Sequence, residues 1–216
     1  MDNDDISLEK WSEEKEVDYQ LASELKAKIF PLLEEAHRKL GYRFNKAFIE
    51  QIKGTKLRID NSERILSLLP KLKPQFFSPK ERRVITFHLE YLTLVEGLFA
   101  SQINFLIFVL IAKGHALHFT RKGDNVKTLA DIERMPLRRR LGFLRKHMFG
   151  KLIANKVDVR LRNSVAHLFY EIDEKGTIKV ENKTITQTEY DKLYDDLRNV
   201  SYALHLITLL YYKRFA

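Results

Sequence analysis

One stretch of this chain leaves few choices of fold. Residues 97–112 read GLFASQINFLIFVLIA, and the apolar positions that precede them, from Val84 to Leu98, recur at helical spacing. A helix that is apolar on nearly every side has to be enclosed by other helices or by lipid. The run is 16 residues long and contains Gln102 and Asn104, whereas a membrane-spanning helix needs about 20 predominantly apolar residues. We therefore expect the central buried helix of an all-α bundle and no membrane segment.

The composition agrees with long helices around one sizeable core. The 216 residues include only 8 glycines and 5 prolines, and 44% of them are hydrophobic. Cysteine is absent, which excludes disulfides and thiolate metal sites and fits a cytoplasmic location. The first residues, MDNDDISLEK, are acidic and polar, unlike a secretory signal peptide.

Apolar spacing predicts helices in the N-terminal part as well. One helix is expected over residues 17–40, kinked or divided at Pro31 and ended by Gly41. Two shorter helices are expected over residues 44–53 and 61–69, followed by a connector. Ser78-Pro79 with Glu81 predicts a later helix start, with the proline in the first turn. Two further starts, Thr128 with Asp131 and Thr186 with Glu189, show the spacing of a capping box.

The C-terminal part predicts further helices and a small β-hairpin. A helix that begins near Pro136 would bury Leu137, Leu141, Leu144 and Met148 on its inner stripe. The next helix is expected over residues 155–171. The segments TIKV and TIT, separated by ENK, then form the hairpin. The last helix has an inner stripe with spacings of three and four residues: Leu193, Leu197, Val200, Leu204, Ile207 and Tyr211.

The predicted fold class is therefore all-α, a helical bundle with a small β-hairpin between its last two long helices. We divide the chain into an N-terminal helical extension, residues 1–78, and a helical bundle, residues 79–216. Residues 1–18 form an acidic leader with eight acids and two lysines. The leader would be a solvated tail or would lie on the basic surface of the protein, and the solvated tail is the favoured interpretation.

Positive charge is concentrated outside the leader. The chain has a formal net charge of +9, so the residues after the leader carry about +15. Such a basic body suggests a polyanionic partner such as nucleic acid. Residues 134–151 hold seven lysines and arginines and no acid. The helix expected there would expose cations that either contact phosphates or form an ordinary solvated face. They are Arg138, Arg139, Arg145 and Lys146.

Known motifs for metals and cofactors are missing from the sequence. His115 and His118 lie three positions apart, but no nearby acid completes a metal site. The chain contains neither GxxxxGK[ST] nor GxGxxG, the two common phosphate-binding patterns, and it lacks the GxSxG elbow of a nucleophilic serine. We expect no metal and no cofactor.

The segment RNSVAH, residues 162–167, is the strongest candidate for chemistry. On a helix, Asn163 and His167 would lie about 40° apart, whereas Arg162 and His167 would lie about 140° apart. The spacing alone is therefore also compatible with Arg162 in a surface ion pair and His167 as a hydrogen-bonded histidine near the core. Histidine transfers protons near neutral pH and arginine binds phosphate oxygens, so the same residues suit RNA cleavage.

The order of features around this segment resembles the HEPN superfamily. A long hydrophobic helix and a basic helix precede the arginine–histidine motif, here Arg162-Asn163-x-x-x-His167, and a hairpin and a capped last helix follow it. The resemblance covers roughly residues 80–214. It implies a homodimer in which two such motifs meet and form one metal-independent endoribonuclease site. His167 would be the general acid or base, Arg162 would stabilise charge on the phosphate, and Asn163 would orient His167 or the phosphate.

Two functions follow as expectations. The first is an endoribonuclease acting in RNA turnover, in phage defence or as a toxin with an antitoxin partner. The second is a non-catalytic binding or scaffold module that partners RNA or a nucleotidyltransferase-like protein. A DNA-binding regulator is a weaker third hypothesis because no convincing helix-turn-helix is present in the sequence.

Overall fold

A computed structural model describes residues 3–71, 75, 77–115 and 128–215. Within these ranges the chain forms helices and three short strands. The helices of the first half are α1 (Asn3–Glu14), α2 (Tyr19–Leu40), α3 (Tyr42–Leu66), a 3₁₀ turn (Leu69–Lys71), α4 (Pro79–Leu92), a π-helical segment (Thr93–Phe99) and α5 (Ala100–Lys113). The second half contains α6 (Leu129–Glu133), α7 (Leu137–Leu144), α8 (Met148–Ala154), α9 (Val159–Ala166), β1 (Glu171–Ile172), β2 (Ile178–Val180), β3 (Lys183–Ile185) and α10 (Gln187–Phe215).

Helices α2, α5 and α10 form the centre of the bundle. α2 packs against both α10 and α5, and α1 packs against α2 and α10. The inner stripe of α10 is buried from Leu197 to Tyr211, as its spacing predicts. A single hydrophobic cluster joins side chains of α1 through α10. The core thus continues across residue 78, and the division of the chain at that point stays a prediction.

The apolar stretch is the buried helix that the sequence predicts. Pro79–Lys113 is long and apolar enough to cross a membrane, with a mean hydropathy of 2.0 over its most apolar 18 residues, but 83% of that window is buried inside the protein. Its two polar interruptions have partners. Gln102 Nε2 donates to Thr55 Oγ1 at 3.3 Å, and Asn104 Oδ1 accepts from Arg140 Nη1 at 2.6 Å. This is how the core helix of a soluble protein behaves, because its buried polar groups need hydrogen bonds.

One helix prediction in the N-terminal part is wrong, because α3 is one helix where the sequence predicts two. α2 continues through Pro31 and is not divided there, whereas the alternative, a kink at Pro31, stays a prediction. Pro31 lies on the exposed side of α2. Gly54 inside α3 costs about 1 kcal/mol relative to alanine. Packing against α5 outweighs that cost, because Gln51 is buried there and donates to Ser101 Oγ at 3.1 Å.

The acidic leader differs from the predicted solvated tail. Its residues form α1, in which Leu8 is fully buried. Lys213 Nζ lies 4.4 Å from the ring centroid of Trp11, a cation–π contact between α1 and α10. Arg198 donates to the carbonyl of Lys15 at 3.3 Å and forms an ion pair with Glu16. The leader therefore packs on the bundle through both apolar and charged contacts.

The basic helix is shorter than its apolar stripe predicts. α7 ends at Leu144, and Met148, expected on the inner stripe, is 79% exposed at the start of α8. Gly150 explains the break. A Cβ atom at this position would lie 1.8 Å from the carbonyl oxygen of Leu144. Only glycine allows α8 to approach the end of α7 this closely.

Both predicted capping boxes are present, and the predicted helix start at Ser78 forms a third. The side chains of Ser78, Thr128 and Thr186 accept from the amides of Glu81, Asp131 and Glu189, whose carboxylates accept from the capping residues' amides in return. The predicted hairpin corresponds to β2 and β3, but it belongs to a three-stranded antiparallel sheet in the order β1-β2-β3. Ile172, Ile178 and Ile185, one on each strand, face the core.

His205 makes stability depend on pH. It lies on α10, and its Nδ1 is buried without a hydrogen-bond partner among the described residues. Burial, together with nearby Lys15, lowers the pKa of His205 to about 4. In the unfolded chain the ring of His205 takes up a proton near pH 6.5. The stability that the neutral, buried ring contributes is therefore complete above about pH 6.5 and is lost as the pH falls towards 4.

We expect His205→Gln to reduce the loss of unfolding free energy between pH 7.5 and pH 4.5 by about 2 kcal/mol. Urea unfolding at both pH values measures this difference, and His115→Gln, at an exposed histidine, is the control. An equal pH dependence in the wild type and in His205→Gln would contradict the prediction.

Candidate active site

Helix α9 carries the arginine–histidine motif, and its start is fixed by Asp158. The Asp158 carboxylate caps the helix by accepting from the amides of Arg160 and Leu161, and Lys183 Nζ from β3 lies 2.8 Å from it. Burial alone would raise the pKa of Asp158, but the Lys183 ammonium and the two amides together hold it below its usual value. Leu161 and Val165 are buried, Asn163 and His167 are exposed, and Arg162 is half-buried at the edge of the exposed face.

Arg162 is held by two neighbours. Its Nε lies 2.5 Å from Glu96 Oε1, and its Nη1 donates to Asn163 Oδ1 at 3.0 Å. Glu96 belongs to the π-helical segment, a type of insertion that is frequent at functional sites. Nη2 of Arg162 donates to no hydrogen bond within the described ranges. The guanidinium is thus oriented while part of it stays available.

His167 follows the last residue of α9 and is exposed. Its backbone amide donates to the Asn163 carbonyl at 3.0 Å. The ring makes no hydrogen bond or ion pair with the part of the chain that the structure describes. The alternative interpretation of the motif is therefore half right, since Arg162 is in an ion pair but His167 is not a hydrogen-bonded core residue. Asn163 connects the two, through its side chain to Arg162 and through its carbonyl to His167.

The helix that carries the motif is shorter than the predicted 155–171. It ends because Leu168 has a φ of +60°, in the left-handed region that non-glycine residues rarely adopt. The turn presents two apolar side chains to solvent, with Leu168 69% and Phe169 74% exposed. Tyr170 then turns back to the bundle, where its hydroxyl lies 3.1 Å from His88 Nδ1.

A cleft of about 620 Å³ adjoins this turn. Leu168 and Tyr170 line one part of it, and Lys80 and Lys179 add two positive charges, with Glu171 and Asp173 also in its wall. Leu168, the first lining residue in this part of the chain, directly follows His167.

The basic helix exposes the four cations that the sequence singles out. Arg138 and Arg139 on α7 are exposed, as are Arg145 and Lys146 after it. Arg145 also donates from Nη2 to the Ala154 carbonyl at 3.1 Å, so it fixes the end of α8 as well. Arg140, the third member of the arginine triplet, points inward to Asn104, and burial lowers its pKa.

Glu96 and Arg140 are not among the site residues that the sequence predicts. Glu96 is distant in the chain from Arg162, and only the fold brings the two together. A signal for Arg140 did exist, because its position falls on the inner side of a helix whose stripe includes Leu137 and Leu141.

No group of three or more histidine, aspartate or glutamate side chains that could bind a metal ion occurs in the described residues. His115 is described and exposed, whereas His118, its predicted neighbour in the rejected metal pair, lies outside the described ranges.

Comparison of this chain with protein-family models, with curated proteins and with solved structures finds no match. Function is therefore inferred from the residues of the candidate site and from their geometry.

The left-handed turn at Leu168 should cost stability. We expect Leu168→Gly to raise the free energy of unfolding of the monomer by about 0.5–1 kcal/mol, because glycine adopts this φ without strain and the side chain is mostly exposed in a single chain. Urea unfolding measures the change. Phe169→Gly is the matched control, since it removes a similarly exposed side chain without relieving a left-handed residue, and it should lower stability. A loss of stability in Leu168→Gly would contradict the interpretation.

Proposed function

We propose that the protein is a metal-independent endoribonuclease whose active site is completed by a second copy of the chain. The observation that carries the proposal is the arrangement on α9. An exposed histidine ring with no hydrogen bond to the described residues lies at the end of the helix whose preceding turn holds an oriented arginine. The resemblance of the motif and its surroundings to the HEPN superfamily supports the same function.

The reaction needs only groups that these residues supply. The ribose 2′-oxygen attacks the adjacent phosphorus, the bond to the 5′-oxygen breaks, and a 2′,3′-cyclic phosphate and a 5′-hydroxyl result. One proton leaves the 2′-hydroxyl and one is delivered to the 5′-oxygen, which is work for histidine near neutral pH. A guanidinium stabilises the charge that develops on the phosphate oxygens. His167 takes the proton-transfer role, Arg162 binds the phosphate, and Asn163 keeps Arg162 in place.

A second copy of the chain would supply the second proton-transfer group that one chain lacks. One histidine cannot be base and acid at the same moment, whereas two copies of His167 facing each other could divide the roles. The exposed residues Leu168 and Phe169 are adjacent and lie directly beside the motif, so a second copy that meets the motif would cover both apolar side chains. We assign that contact to the partner copy.

Bound RNA would extend from this site over positively charged surface. The cleft with Lys80 and Lys179 begins beside Leu168, and Arg138 and Arg139 on α7 provide exposed cations for phosphates elsewhere on the same chain. We place the protein in the cytoplasm. There the same activity would serve RNA turnover, phage defence or a toxin role with an antitoxin as a further partner.

A second candidate function is a non-catalytic binding module for RNA or for a nucleotidyltransferase-like protein. The ion pair between Arg162 and Glu96 favours it, because an arginine neutralised by a carboxylate binds phosphate less strongly. The two functions differ in whether RNA is cleaved or only bound.

We expect cleavage of mixed single-stranded RNA in EDTA, with 2′,3′-cyclic phosphate ends. His167→Ala should lower the rate by at least about 100-fold, the range of general acid–base catalysis. Gel analysis and end-group analysis measure this. The control His115→Ala changes another exposed histidine and should leave the rate unchanged. Cleavage that persists in His167→Ala, or that requires a divalent metal, would refute the mechanism, and binding without cleavage would favour the second candidate.

We also expect a two-fold dimer in solution. Phe169→Glu should shift it towards monomer, because it places two like charges at the proposed contact, and it should reduce cleavage in parallel. Sedimentation velocity over a range of concentrations measures the dimer. Tyr42→Glu is the control, since Tyr42 is a similarly exposed aromatic residue on α3. A wild-type monomer that cleaves RNA at full rate would contradict the composite site.

A further inference from the structure

A cavity of about 350 Å³ lies between α4, the sheet and the start of α10, apart from the arginine–histidine motif. Arg82, Thr86 and Glu90 line it from α4, where a spacing of four residues places them on one helix face. Phe87 and Tyr190, whose ring centroids are 4.9 Å apart, add aromatic surface to its wall. Ile172 and Ile178 form an apolar side.

Three polar groups in this wall have no partner in the described residues. The guanidinium of Arg82 and the carboxylate of Glu90 make no hydrogen bond or ion pair there. The hydroxyl of Tyr190 has none either, although Tyr190 is only 5% exposed. Nε of Arg82 and the Tyr190 hydroxyl are also shielded from water. Unpaired buried polar groups cost about 1–3 kcal/mol each, so the two of them at this cavity, beside a carboxylate without a partner among the described residues, point to a ligand that pairs with all three.

Glu90 adds an uncompensated negative charge to this wall. It is half-buried, and burial, together with the negative charge of Asp191, raises its pKa. Within the described ranges, no cation compensates its charge. Arg82 lies two helical turns away along α4, at the other end of the face that they share. A ligand that donates hydrogen bonds to the carboxylate and accepts from the guanidinium would satisfy both groups.

These groups restrict the ligand to a narrow chemistry. The aromatic wall favours a planar ring. The carboxylate needs adjacent N–H donors, and the guanidinium needs an acceptor on the same ring. Guanine has this combination, because its edge presents the O6 acceptor beside the N1–H and N2–H donors. Arginine is the residue that most often binds the guanine O6 and N7 acceptors. Adenine and cytosine present a single amino donor group, so they pair less completely with a carboxylate.

We propose that this cavity binds guanine, with Glu90 accepting from the N1–H and N2–H groups and Arg82 donating to O6. The cavity is large enough for a purine and part of its ribose. Arg83, which also lines the cavity and whose Nη1 donates to the Glu174 carbonyl, is exposed and provides positive charge for an attached phosphate. The guanine is either that of a free nucleotide or that of a guanosine in single-stranded RNA.

Calorimetric titration of the full chain with GMP, IMP, AMP and CMP tests the base. GMP should bind most tightly, and IMP, which lacks the N2 amino group, about ten-fold more weakly. Glu90→Gln should weaken GMP binding by about 10- to 100-fold, the effect of losing hydrogen bonds to a charged group. Arg82→Gln should also weaken it. AMP or CMP binding as tightly as GMP, or GMP binding that Glu90→Gln leaves unchanged, would overturn the proposal.

The control variants are Glu13→Gln and Arg64→Gln, which make the same chemical changes at exposed positions outside the cavity. Both should bind GMP as the wild type does. Folding is followed by thermal unfolding of each variant. Glu90→Gln should be at least as stable as the wild type near neutral pH, because it removes a half-buried charge, and weakened binding would then not be a folding defect.

A second titration distinguishes the source of the guanine. The trinucleotide ApGpA and free GMP both contain the ring, and ApApA does not. Tighter binding of ApGpA than of GMP assigns the cavity to RNA, and the reverse assigns it to a free nucleotide. Equal binding of ApGpA and ApApA with none of GMP would overturn the proposal. His167→Ala should leave GMP binding unchanged, so the outcome is independent of whether the protein cleaves RNA.

Discussion

The enclosure of one helix is the constraint on which the rest of the structure depends. Pro79–Lys113 is so apolar that it must be covered along most of its length, and α2, α3, α7 and α10 do this together. Few side chains on α5 reach water, and Gln102 and Asn104 in its interior are stable only because α3 and α7 bring partners to them. Those helices therefore have fixed positions, and with them the surfaces that they expose.

The sequence predicts well whatever is repeated or local. The buried helix, the stripe of α10, the two capping boxes and the helix start at Ser78 follow from spacings within a few residues, and all are confirmed. The errors occur where contacts between distant residues decide. Gly54 and Pro31 look like interruptions in the sequence, but packing keeps α3 and α2 continuous. The acidic leader looks solvated by its charge, yet the buried Leu8 and the contact of Trp11 with Lys213 hold it on the bundle.

The candidate site also combines local features that the sequence predicts with distant contacts that it does not. The motif residues can be read from RNSVAH, and their exposure at one end of α9 follows from the burial of Leu161 and Val165. Neither the ion pair with Glu96 nor the left-handed Leu168 has a local sequence signal. The first needs two segments of the chain that are far apart in sequence. The second is a backbone conformation that leucine rarely adopts, so no propensity would have predicted it.

The π-helical segment has a consequence for both halves of the long helix. Widening one turn accommodates an extra residue, and a residue rotates an α-helix by about 100°. α4 and α5 therefore share one axis but not one angular phase. This offset lets α5 present apolar side chains to the bundle while α4 directs Arg82 and Glu90 to a different cavity, and it leaves Glu96 turned outward at the join, opposite Arg162. A single extra residue in this turn thus sets which way two separate surfaces of the protein face.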